Sequence, residues 1–124
     1  MKFFYNGKLV RTSKNHVYTH AVMDRATGGF KGCRSTREAA QALISAEIGR
    51  YRADIKRCHT AIQALEAGKS YYMVKERGYS YKVYFARLEN PTREWFQKII
   101  ADEERYIAYL EQNWIVVELE AREK

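Results

Sequence analysis

Residues 79–90, YSYKVYFARLEN, crowd aromatic rings, two cations and a terminal amide into one strand-like run. The chemistry such a run can do is binding. Flat rings stack on a base, worth ~1–3 kcal/mol per base. A guanidinium covers the other face of that base or forks to a phosphate. The same mixture recurs elsewhere. Arg11, Lys14, Arg25, Arg34, Lys75, Lys82 and Arg87 lie on or beside predicted strands, interleaved with Tyr18, Tyr71, Tyr72, Tyr79, Tyr81, Tyr84 and Phe85. The competing explanation is structural, because tyrosine is a good strand former with one side buried. In residues 79–88 neither alternating face is purely apolar, so the rings are expected half-buried with exposed edges.

Other chemistries find little footing. His16, His20 and His59 form no metal motif, and four-residue spacing within a strand separates His16 from His20. Cys33 and Cys58 stand alone and read as reduced structural thiols. No metal or cofactor is expected. There is no nucleophile elbow, and Ser13, Ser35 and Ser80 read as turn, cap and strand residues. ADEER, the carboxylate-rich run at residues 101–105, reads as a solvated helix face. TGGFKG fits neither a P-loop nor a dinucleotide fingerprint and reads as a hairpin turn. The chain is therefore expected not to be an enzyme.

Charge points the same way. The net charge is +7, and residues 1–34 hold seven Lys/Arg against one acid, whereas residues 90–124 hold five against eight. The positive charge thus follows the predicted strands and favours an anionic partner. No stretch is long and apolar enough to span a membrane, and no signal peptide is evident, so the expected location is the cytoplasm. The 124 residues suit one domain, 1–124.

The positioning elements can be read from turn and cap signals. KFFY and KLVRT flank Asn6-Gly7, a tight-turn pair. Residues 16–23 alternate as a strand, DRATGG turns, and FKGCR returns. STRE, residues 35–38, predicts a helix capped by Ser35, with Tyr51, Ile55, Cys58, Ile62 and Leu65 spaced four, three, four, three as an apolar seam. Gly49 is a candidate bend, and Gly68 a C-cap. Residues 70–76 and 79–88 flank Arg77-Gly78 as a second hairpin. Asn90 is a candidate cap for a last helix, with Pro91 at its first helical position. Residues 113–120 suit either a helix end or a strand. The fold class is α+β: a small antiparallel sheet of two hairpins with two long helices. Helices this long on so small a sheet suggest burial between subunits, hence an oligomer.

The order of pieces resembles a family. NGKLVRTSKNHVYTHAVM, the CRSTREAAQALI helix entry and YFARLENPT before the last helix are similar to the first-described class of phage Thoeris anti-defence proteins, sponges that sequester nucleotide immune signals. The resemblance covers most of the chain as layout. It implies a non-catalytic α+β homo-oligomer, a dimer or higher and up to a hexamer. Such a protein binds a cyclic ADP-ribose isomer between protomers in the cytoplasm of the infected bacterial host. It also implies cyclic trinucleotides at a second site near a symmetry axis, extending inhibition to CBASS signalling. On chemical grounds, Tyr84 or Phe85 would stack, Arg87, Arg105 and Arg11 would meet phosphate or the second base face, and Asn90 would hydrogen-bond. Tyr109, one helical turn from Arg105, would join them. Arg25, Thr27 and Gly28 would supply the second site. Two other functions suit the same residues: a single-stranded nucleic-acid binder on a basic aromatic sheet, and a direct protein inhibitor of a defence enzyme.

Overall fold

The structure is a computed structural model that describes residues 1–123. It is an α+β fold: eight short strands in three small antiparallel sheets, with two long helices. The chain forms two compact units, residues 1–48 with 108–124, and residues 49–107.

In the first unit, β1 (Lys2–Tyr5) and β2 (Lys8–Thr12) pair through a turn in which Asn6 and Gly7 both take positive φ, 50° and 76°. That geometry matches the strand twist and explains the Asn-Gly pair. A second hairpin joins β3 (His20–Asp24) to β4 (Gly29–Arg34). The last residues, ambiguous in sequence, are strands: β7 (Trp114–Glu118) pairs with β3, and β8 (Glu120–Arg122) pairs with β1. Strand β3 is thus central, and Ala21, Val22, Met23 and Asp24 are all buried. Ala21, Met23, Cys33 and Val117 form one apolar cluster, with Phe30, Ile115 and Leu119 packed against it.

Strand β3 is shorter than its alternation suggests. Residues 16–19 are not strand, and Val17 is 56% exposed. The Ser13 hydroxyl accepts the His16 N–H at 3.0 Å, a local turn that competes with a ladder. The Ser35 hydroxyl donates to the Val17 carbonyl at 2.7 Å. Ser35 is therefore not the helix cap. The cap is Thr36, whose hydroxyl accepts the Ala39 N–H at the start of α1 (Arg37–Glu66).

Helix α1 runs unbroken for 30 residues through Gly49, so that glycine ends nothing. Gly68 does, with φ 71°: its N–H reaches the Leu65 carbonyl and the Lys69 N–H reaches that of Ala64, a Schellman stop.

In the second unit, β5 (Tyr71–Glu76) and β6 (Tyr79–Tyr84) form a hairpin turned by Arg77 and Gly78, both at positive φ. Strand β6 stops at Tyr84, and residues Phe85–Arg87 make a single 3-10 turn. Helix α2 (Arg93–Asn113) is capped by Thr92, whose hydroxyl accepts the Trp95 N–H, and not by Asn90. Cys58, Ala61 and Ala64 of α1 pack with Phe85, Phe96 and Ile100, and Ile55, Ile62 and Leu65 lie against the same cluster. Part of the α1 seam thus meets this cluster within the chain, with Cys58 buried and Ile55, Ile62 and Leu65 half-buried.

Candidate functional site

Hairpin geometry sorts the rings of the opening stretch into two sets. With Val74 opposite Tyr81 and Glu76 opposite Tyr79, one face of the hairpin carries Tyr72, Val74, Glu76, Tyr79, Tyr81 and Val83. The other carries Tyr71, Met73, Lys75, Ser80, Lys82 and Tyr84. On that second face the Lys82 ammonium lies 4.6 Å from the centre of the Tyr71 ring, and the Tyr71 and Tyr84 rings are 5.7 Å apart.

The residues expected to bind ligand are dispersed. Tyr84, Phe85, Arg87, Asn90 and Arg105 belong to the second unit, Arg11 and Tyr109 to the first. Phe85 is core: 8% exposed, with its ring against Tyr72 and Phe96, so it offers no face to a base. Tyr84 is exposed at the end of β6. Arg87 is exposed on the 3-10 turn, beyond the strand. Asn90 is exposed ahead of α2, and its side chain is not consumed by capping. Arg105 pairs with Asp102 on its own helix. In the first unit Arg11 covers the Tyr18 ring, 5.6 Å from its centre.

The Tyr109 hydroxyl donates to buried Asp24 at 2.6 Å. Asp24 also accepts the Ala26 N–H at 2.9 Å. The Tyr109 bond first, and these backbone donors after it, hold the Asp24 carboxyl below its ordinary range, although burial opposes them. This cluster fixes the 24–29 turn, where the Gly28 N–H meets the Asp24 carbonyl and the Thr27 hydroxyl accepts the Gly29 N–H. Arg25, Thr27 and Gly28 are accordingly exposed on a well-braced hairpin tip.

A concave site does exist in the second unit, and most of its lining was not foreseen. A cleft of about 750 Å³ lies between the Arg50–Arg57 stretch of α1 and the tip of the β5–β6 hairpin. Arg50, Tyr51, Asp54 and Arg57 line one side; Lys75, Glu76, Arg77 and Tyr79 line the other. That is four cations, two carboxylates and two tyrosines in a volume typical of small-molecule sites. The Arg50 guanidinium lies 5.9 Å from the centre of the Tyr51 ring, which meets Tyr106 edge-on at 4.8 Å. Tyr79 is 59% exposed, its ring 6.1 Å from that of Tyr81.

The cations differ in commitment. Arg57 donates to Asp54 at 3.2 Å and to Glu76 at 2.5 Å, tying α1 to the hairpin. Lys75 and Arg77 form no ion pair among the described residues. They are the cations an incoming anion can take without first displacing a carboxylate.

Behind Asp54 stands Glu103 of α2. Burial first, and Asp54 second, push the Glu103 carboxyl up from 4.5 to about 7. Its Oε2 is buried and meets no donor. Two adjacent carboxylates resist joint ionisation, so protonated Glu103 donates to Asp54. The cysteines are buried and free, and burial raises both thiols, Cys58 to about 11. They are packing residues. Among the described residues no cluster of His, Cys, Asp and Glu could hold a metal ion, and no helix is long and apolar enough to cross a membrane.

No family model matches the chain, and neither a curated protein nor a solved structure matches it. The function therefore has to be argued from the site.

Proposed function

We propose that the protein binds and sequesters a cyclic ADP-ribose-type immune signal without cleaving it, acting as a phage inhibitor of Thoeris immunity in the cytoplasm of the infected bacterium. The observation that carries this reading is the cleft at Arg50, Tyr51, Arg57, Lys75, Arg77 and Tyr79. A cyclic ADP-ribose presents a pyrophosphate, two riboses and a purine. Lys75 and Arg77 offer the pyrophosphate cations with no competing carboxylate bond, and Tyr51 and Tyr79 offer ring and hydroxyl. The choice of this signal among nucleotides rests on the sequence resemblance. On the same basis the protein acts as a homo-oligomer, with a second ligand class, cyclic trinucleotides, at the Arg25–Thr27–Gly28 tip.

Titration calorimetry with cyclic ADP-ribose isomers tests the proposal. The expected result is saturable binding that is lost in Lys75→Ala/Arg77→Ala, with the ligand recovered chemically intact after heating the complex. No heat with any isomer, or recovery of a ring-opened product, would overturn it. A monomeric mass by light scattering would remove the oligomer.

A second reading draws on the outer hairpin face. Tyr71, Met73, Lys75, Ser80, Lys82 and Tyr84 include two cations, two rings and no acid, and Met73 and Tyr84 are exposed. This suits a single nucleic-acid strand. Steep salt dependence and affinity growing with oligonucleotide length would favour it over the sponge.

A further inference from the structure

Asp54 and Arg57 also line a smaller chamber of about 270 Å³ in the second unit, whose other walls include Tyr72, Tyr81, Val83, Leu88, Trp95 and Ile99. The two spaces therefore share the Asp54–Arg57 pair as a common wall. Their chemistry is opposite: the larger is lined by cations and carboxylates, the smaller by rings and aliphatic groups. Beyond Asp54 and Arg57 the ionisable lining of the chamber is the tyrosine hydroxyls and the Cys58 thiol, which burial pushes up to about 11. The Trp95 and Tyr72 rings on its wall are held edge-on by Phe96, 4.9 and 6.1 Å away. Burial raises the Tyr72 hydroxyl above its ordinary range, as an apolar chamber requires.

We propose that this chamber is a ring subsite: it takes the planar base of a nucleotide whose phosphates lie on Lys75 and Arg77, with Arg57 at the junction. The proposal rests on the reading of the cleft as a nucleotide site. A bare phosphate or sugar phosphate would fill only the basic space, leaving the chamber unused. A base-bearing ligand fills both, so the chamber selects nucleotides over the far commoner small anions of a cell. Base burial against Trp95 and Tyr72 supplies the selectivity, because the cations attract every anion alike.

The two tryptophans, Trp95 and Trp114, make a direct test available. Trp114 lies in the first unit, so Trp114→Phe leaves Trp95 as the sole indole. In that background, a cyclic ADP-ribose isomer should change Trp95 emission with the same midpoint that calorimetry gives. Inorganic pyrophosphate should bind without changing it. Val83→Phe, which fills the chamber, should weaken nucleotide binding about tenfold or more while leaving pyrophosphate affinity within about twofold, the retained pyrophosphate binding serving as the fold control. Nucleotide that binds without altering Trp95, or that binds Val83→Phe as tightly as the parent, overturns the ring subsite. If Lys75→Ala/Arg77→Ala still abolishes that binding, the basic cleft stands while the subsite falls. If the parent protein binds neither nucleotide nor pyrophosphate, both fall together.

Discussion

Raising the pH from 5 to 8 should destabilise this protein through one side chain, and Glu103→Gln should abolish the effect. In the native state Glu103 holds its proton until about pH 7, whereas in the unfolded chain it loses it near its ordinary 4.5. Between those values the native state binds the extra proton, so stability falls as pH rises and the loss is complete above about pH 7. A gap of roughly two and a half units at 1.36 kcal/mol per unit sets a ceiling of about 3.4 kcal/mol. Glu103 is only half-buried, and solvent screening reduces this to on the order of 1–2 kcal/mol.

Glutamine is isosteric, always neutral, and can still donate to Asp54. The variant should match the parent near pH 5 and exceed it at pH 8 by that 1–2 kcal/mol, or about 3–8 °C in Tm. The assay is urea and thermal denaturation of both proteins across pH 5–8.5. Carboxylates held below their ordinary range, Asp24, Asp102 and Glu120, contribute with the opposite sign. Their stabilisation is present above the unfolded values and is lost as pH falls through the lower native ones, so it lies below this window. The difference between parent and variant cancels everything else that titrates in both. Parallel pH profiles would refute the shared-proton account of Asp54 and Glu103.

Phe85→Ala should cost about 3–5 kcal/mol by chemical denaturation, because it empties a core position that Tyr72 and Phe96 cannot refill; a loss under 1 kcal/mol would contradict its burial. Thr92→Ala should cost about 0.5–2 kcal/mol and Asn90→Ala close to nothing, and equal losses in thermal melts would restore Asn90 as the cap. Tyr109→Phe should cost about 1–3 kcal/mol by leaving a buried Asp24 oxygen without its side-chain donor, and unchanged stability would show that water replaces the hydroxyl.

Local signals in the sequence were reliable where one backbone conformation had one satisfactory residue type. Asn6-Gly7, Arg77-Gly78 and Gly68 mark two hairpins and a helix stop because those positions demand positive φ. Where two hydroxyl-bearing or amide residues stood within two positions of each other, composition could not choose. Thr36 caps α1 because Ser35 is spent on the Val17 carbonyl, and Thr92 caps α2 two residues beyond Asn90. Alternation failed at residues 16–19 because Ser13 offers the backbone a local turn, and β6 gives way at Phe85 to a 3-10 turn with this ring in the core. Tyr84 is exposed and Phe85 buried, consistent with their opposite alternating faces, so of the two candidate stacking rings only Tyr84 is accessible.

Apart from Lys75 and Tyr79, the cleft was illegible for a different reason: its residues carried no binding signal until the fold brought them together. Tyr51 fitted the apolar seam of α1 and Arg77 a turn, and Arg50, Asp54 and Arg57 carried no motif of their own. Only tertiary contact brings residues 50–57 against 75–79. Once together, they pose a competition that sequence cannot express. Arg57 is the most enclosed cation there and the natural anchor for a phosphate, yet Asp54 and Glu76 already hold it. A ligand that recruits Arg57 must draw it away from Asp54 and Glu76, which are themselves partly exposed, and the adjoining Glu103 proton bears on that cost. Protonated Glu103 can stabilise the Asp54 carboxylate by donating a hydrogen bond to it, whereas ionised Glu103 repels it. Lys75 and Arg77 carry no such penalty. Capture should therefore begin on the hairpin cations and engage Arg57 second, so that Arg77→Ala slows association while Arg57→Ala chiefly speeds release.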